Sequence, residues 1–173
     1  MASAMRPLHF KQLNDKHLTW LAQLPVTQHI TIGEHTFLLV HATPRDPMDE
    51  YIANGRDGER SSDPTDVKAQ WEARLDHVNV DFVCVGHTHI PMDLQLDDCR
   101  VINPGSVGQP RDGDPRVSYA VIEDGNVESR RVEYDVERTI SHMLKSGVSG
   151  SVVRKAEIIL RSGGNPNPQP ATA

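Results

Sequence analysis

An α/β fold with a mixed sheet is what this 173-residue chain predicts, on the pattern of its apolar residues. Phe37–Val40 and Val80–Val85 are short apolar runs, rich in valine and leucine, of the kind that form buried strands. Two glycine-centred turns, at Gly33 and Gly125, join apolar runs as β-hairpins do. Elsewhere apolar residues recur at helical spacing. Hydrophobic residues make up 37% and aromatic residues only 5%, so the predicted core is aliphatic and fits one domain. The net charge of −6 argues against a general nucleic-acid surface, which needs a basic excess to displace counterions.

In chain order, Met1–Phe10 lacks the apolar stretch of a signal peptide. Leu13–Leu24, with Leu18, Trp20, Leu21 and Ala22, predicts a helix stopped by Pro25. Ile30–Ile32 and Phe37–Val40 predict a hairpin around Gly33-Glu34-His35. Ala42–Pro64, rich in proline, glycine and charge, predicts a loop. Asp66–Leu75 predicts a helix with Val67, Trp71 and Leu75 on one face. Short strands follow at Val80–Val85, Pro91–Leu96 and Arg100–Ile102, then a loop from Asn103 to Pro115. Val117–Ile122 and Val127–Tyr134 predict a second hairpin, and Val136–Lys145 and Val152–Leu160 two helices. The expected domain is 1–162, with 163–173 a disordered tail of Pro, Asn and Gly. No run reaches membrane-spanning length, so a cytoplasmic location is expected. Cys84 and Cys99 form no CxxC pair, and neither a disulfide framework nor a zinc ribbon is expected.

The chemistry centres on Gly86-His87-Thr88-His89, immediately after the apolar run. Gly86 is expected to permit a sharp turn that a side chain would obstruct. In extended chain, histidines at i and i+2 share one side, roughly 6–7 Å apart. Such a pair can reach one metal, or two metals about 3.5–4 Å apart; histidines hydrogen-bonded in a turn are the plainer alternative.

With the strand ending in Leu39-Val40-His41 and the later Asn103-Pro104-Gly105-Ser106-Val107-Gly108-Gln109-Pro110-Arg111, this motif resembles the carboxyl-terminal half of the calcineurin-like metallophosphoesterases, in particular the small single-domain microbial phosphodiesterases. The resemblance runs from about Leu18 through Tyr134. It implies a four-layer α/β/β/α sandwich, here lacking its N-terminal strands, and phosphomonoester or phosphodiester hydrolysis by metal-activated water. His41 and His87 resemble ligands of one metal, and His89 a ligand of the other. Imidazole suits Mn, Fe, Zn and Ni alike, so the metal is left open.

The family's Asp-x-His, Gly-Asp and Gly-Asn-His are not found at a plausible place. Asp15-Lys16-His17 has the first spacing but falls in a helical pattern, on what is expected to be a solvated face. The chain is therefore expected to begin near the middle of the family domain, to hold one metal or none, and to be weakly active or inactive alone. Three histidines with an open position are also the donor set of a mononuclear zinc site. The competing expectations are a phosphoesterase completed by a separate N-terminal half, and a non-catalytic module with at most one metal. Unpaired sheet edge and uncovered apolar surface predict self-association or pairing with a complementing half. At the rim, Arg45 is expected to face a phosphate-ester substrate. Asn103 and Ser106 offer either rim groups or a tight structural turn. Arg111 and Arg116 either clamp phosphate or pair with Asp112 and Asp114.

Overall fold

The alternation in Phe37–Val40 sorts its side chains onto two faces, and each face acquires a cover. The computed structural model describes residues 2–52 and 64–164. Its elements are α1 (Ala2–Gln12), α2 (Asp15–Ala22), β1 (Thr27–Ile32), β2 (His35–Val40), α3 (Pro64–Leu75), β3 (Phe82–Cys84), β4 (Met92–Gln95), β5 (Arg100–Asn103), β6 (Val117–Glu123), β7 (Asn126–Val132), α4 (Val136–Lys145) and α5 (Gly150–Ser162). Contacts divide the chain into two compact units.

The first unit, Val26–Val107 with Ser118–Arg131, holds a five-stranded mixed sheet in the order β1-β2-β3-β5-β4. β1 pairs antiparallel to β2, with Ile32 opposite His35. β2, β3 and β5 run parallel, with Leu38 beside Val83 and Val83 beside Val101. Parallel central strands are buried on both sides, and Val83 and Val101 are fully buried. Leu38, Val40, Val83, Val85 and Val101 point to the face covered by Trp71 and Leu75 of α3. Phe37, Phe82 and Ile102 point to the other face, against Ala120, Ile122 and Val127 of the β6–β7 hairpin. Phe37 and Phe82 stack there with centroids 5.1 Å apart. Helix, sheet and second sheet thus form three successive layers within this unit, in keeping with the mixed α/β class the sequence predicts.

The second unit carries α1, α2, α4 and α5. α4 and α5 bury Ile140, Val152, Val153, Ala156 and Leu160 together, with Met5 and Leu8 of α1 against them. α1 is not legible in the apolar pattern; it contains Pro7, which removes a helical N–H. α5 ends at Gly163, whose φ of 67° places it in the left-handed cap conformation. Of the loop predicted over Ala42–Pro64, residues 53–63 lie outside the described residues, and Pro64 belongs to α3. Of the predicted tail, residues 165–173 lie outside the described residues.

Candidate metal centre

Three parallel strands release their chain ends on one side of the sheet, where ligand sites of α/β folds collect. His41 follows β2, Gly86–His89 follow β3, and Asn103 ends β5. The ends are laced together: Val85 N–H donates to Ile102 O at 2.8 Å and Gly86 N–H to His41 O at 2.9 Å.

The His-Thr-His segment is not extended. His87 and His89 both have φ of 61°, the left-handed region that non-glycine residues enter sparingly. Gly86 does not adopt a positive φ, and a Cβ added there would meet His41 O at an ordinary 3.6 Å. The expected roles are therefore exchanged: the histidines make the turn, and the glycine is not sterically required. Asn103 holds them in it. It is buried, its Nδ2 donates to Gly86 O at 2.6 Å and to Thr88 Oγ1 at 3.0 Å, and its Oδ1 accepts from Gly105 N–H at 2.9 Å.

His41 Nε2 and His87 Nδ1 approach to 3.0 Å, with ring centroids 4.8 Å apart. Two metal–nitrogen bonds of about 2.0–2.1 Å, enclosing a right or tetrahedral angle, span about 2.9–3.4 Å. The pair therefore fits two positions around one divalent ion. The other ring nitrogen of His87, Nε2, is buried without a hydrogen-bond partner among the described residues. Burial, aided by the charge of His41, lowers the His87 pKa, while the backbone and carboxylate of Asp49 oppose the shift. The shift favours the neutral ring, the form that offers a lone pair to a metal. His89 has its Nδ1 3.4 Å from Ser106 Oγ. Among the described residues, no set of three or more His, Cys, Asp or Glu side chains converges as a metal cluster.

Of the rim residues, Arg45 is exposed and paired with Glu50. Arg116 pairs with Asp114 at 2.6 Å. Asp15-Lys16-His17 opens α2 as a capping box: His17 N–H donates to Asn14 Oδ1 at 3.0 Å, and Asn14 N–H to His17 Nδ1 at 3.4 Å. That exposed helix start is the solvated face expected of it. Sequence reasoning passed over Tyr51, whose ring centroid lies 4.0 Å from that of His87, and Glu50, which sits in a run of loop charges. Neither carries a periodicity or spacing signal.

Comparison with known proteins bears on the family and the fold. Residues 13–126 match the calcineurin-like phosphoesterase superfamily domain. The uncharacterized protein MJ0912 of Methanocaldococcus jannaschii is 30% identical over 154 residues, covering 79% of this chain and 57% of the relative. A metallophosphoesterase from Sphaerobacter thermophilus is 31% identical with a TM-score of 0.65, covering 84% of this chain and 64% of that one. The hypothetical protein PH1004 from Pyrococcus horikoshii shares the fold at 21% identity, with a TM-score of 0.69 over 90% of this chain and 57% of its own. The chain thus spans less than two thirds of the length of each of these three relatives. On the domain match, which covers most of its length, the chain belongs to the calcineurin-like phosphoesterase superfamily.

Proposed function

We propose that this chain binds a divalent cation between His41 and His87 and serves phosphoester hydrolysis. The 3.0 Å approach of His41 Nε2 to His87 Nδ1, at the ends of two parallel strands, carries the reading. A cation there supplies charge for a phosphoryl group and lowers the pKa of a water. The chain's own residues set its place. His41 offers an exposed imidazole, His87 a partly buried one, and Asn103 holds the turn that presents His87 and His89. His89, beside Ser106, stands as a ligand toward a second position. Arg45 reaches a substrate phosphate only by exchanging Glu50 for it. Mn, Fe, Zn and Ni all suit imidazole.

A second reading, a binding module with at most one ion and no turnover, is favoured by one observation: no third ligating side chain joins the pair among the described residues. Metal analysis of the purified chain, run beside hydrolysis of bis(p-nitrophenyl) phosphate with added manganese, separates the two. Two ions per chain with turnover supports the enzyme. One ion or none without turnover supports the module, and no ion at all overturns the proposed cation site. We also propose that the chain self-associates through the open edge of β1.

A further inference from the structure

We propose that Glu50 is a positioning residue for His87, acting through Tyr51. The Tyr51 and His87 rings meet with centroids 4.0 Å apart and planes inclined by 43°. His41 meets the Nδ1 edge of the same imidazole at 3.0 Å. The imidazole therefore has close ring neighbours in both His41 and Tyr51, and turning it would change both contacts.

Tyr51 lies near the end of the described part of the loop after His41, and that loop is fixed in two stages. Its first half is closed by backbone bonds: Ala42 N–H to Pro47 O at 3.0 Å and Thr43 N–H to Asp46 O at 3.2 Å. Asp46 Oδ1 then accepts from the N–H groups of Met48 and Asp49, each at 3.2 Å. The second half depends on Glu50, whose side chain is 10% exposed. Its carboxylate accepts from the Thr43 hydroxyl, from Arg45, and from Arg74 Nε and NH2 at 3.2 and 3.0 Å. Arg74 also donates to Gln70 O at 3.3 Å, within the helix that Trp71 and Leu75 root in the core. A continuous path therefore runs from the core helix through Arg74 and Glu50 to the residue that covers His87. Burial raises the carboxyl pKa, but the Thr43 hydroxyl and Arg74 outweigh it, so Glu50 stays ionised.

The two arginines are unequal partners. Arg45 is 65% exposed and Arg74 18%. Exposed ion pairs contribute little, whereas partly buried ones are sensitive to loss of either member. Arg74 and Thr43 are the anchors, and Arg45 is dispensable to the path.

Only the functional meaning of this inference rests on His87 being a ligand; the positioning is testable in metal-free protein by NMR. Y51L removes the ring current on the His87 ring C–H protons and defines the full shift. E50Q and R74M are expected to move those resonances more than half of the way to the Y51L positions, with R45A leaving them in place. The methyl resonances of Val83 and Val101 report an intact core, and T43V gives an uncharged third variant if E50Q does not fold. Unmoved His87 resonances in E50Q, R74M and T43V, with the core methyls intact, overturn the proposal, as does a Y51L variant without effect. In a parallel zinc titration, E50Q is expected to weaken binding about 10–100-fold. If the parent binds no zinc while the NMR shifts hold, the metal reading fails and the positioning stands. If zinc binds and the shifts do not move, the positioning fails alone.

Discussion

The side-chain amide of Asn103, at the end of β5, donates to Gly86 O at 2.6 Å and ties that strand end to the turn after β3, 17 residues earlier in sequence. It also engages Thr88, the residue between two histidines in left-handed backbone. Non-glycine residues in that region cost about 1–3 kcal/mol each and persist where the surroundings hold them. Asn103 supplies that restraint from a buried position. N103A is expected to lower stability by about 2 kcal/mol or more, since buried groups lose their partners. N103D is expected to be at least as damaging, because a carboxylate oxygen would then face the Gly86 carbonyl. Urea denaturation of both variants checks the order; N103D matching the parent would remove Asn103 from this role.

Gly105 and Gly33 make a matched pair. Both have positive φ, 88° and 60°. A Cβ on Gly105 would lie 2.8 Å from Pro91 Cγ and 2.9 Å from Ser118 Cβ, whereas one on Gly33 meets nothing within 4 Å. G33A should carry only backbone strain, about 1–2 kcal/mol. G105A should add a packing clash of about 1–3 kcal/mol to the same strain. Chemical denaturation of the two variants reads the difference directly, and equal losses would show that the loop relaxes around an added methyl.

The His87 environment gives stability a pH dependence of known sign. Burial, with the charges of His41 and His89, holds its folded pKa below the ordinary value of 6.5, against the pull of Asp49. Below that ordinary value the unfolded chain takes up a proton that the folded chain resists. Stability should therefore be level above about pH 6.5 and fall as pH drops through it toward the folded pKa. Glu50, whose pKa is also depressed, acts only in the acid range below 4.5 and does not overlap. Thermal melts between about pH 5 and 8 test this, with H87Q expected to flatten the neutral-to-acid limb. A parent melting temperature that rises on acidification would reverse the sign.

Metal removal and substitution address the pair itself. H41A and H87A should each weaken binding of the first divalent ion by about 100-fold or more, since each removes one of two donors on that edge. H89A, which removes a group beside Ser106 rather than on the shared edge, should leave first-ion affinity within a few-fold. Calorimetric titration of zinc into chelator-treated protein measures all three. Equal losses in all three variants would place His89 on the same ion.

Strand identity was legible because burial on a pleated sheet repeats every second residue: Phe37 and Leu38 go to opposite layers, as do Phe82 and Val83. Trp71 and Leu75 announced a core-facing helix by the same logic at helical spacing. The approach of His41 to His87 was foreshadowed by both lying just beyond apolar strands that pair in parallel. The left-handed turn was not legible, since its cause is an asparagine amide from another strand. Nor was the Glu50–Arg74 pair, which joins residues 24 apart and leaves no pattern in local sequence. α1 escaped notice because it lacks an apolar stripe of its own.

The outer strand of the sheet carries the last prediction. β1 lies at one end of the sheet order and has no fully buried residue. Ile32 is 60% exposed, and Val26, just before the strand, 63%. An edge strand with unpaired N–H and C=O groups and apolar ends is a template for pairing, and two identical edges can meet antiparallel about a twofold axis. The chain should therefore run larger than a monomer in light scattering at micromolar concentration. A Thr31→Lys, Ile32→Lys double substitution, which puts two like charges on each copy of the edge, should shift it to monomer while its melting remains cooperative. A parent that is already a monodisperse monomer would show that this edge is covered in some other way.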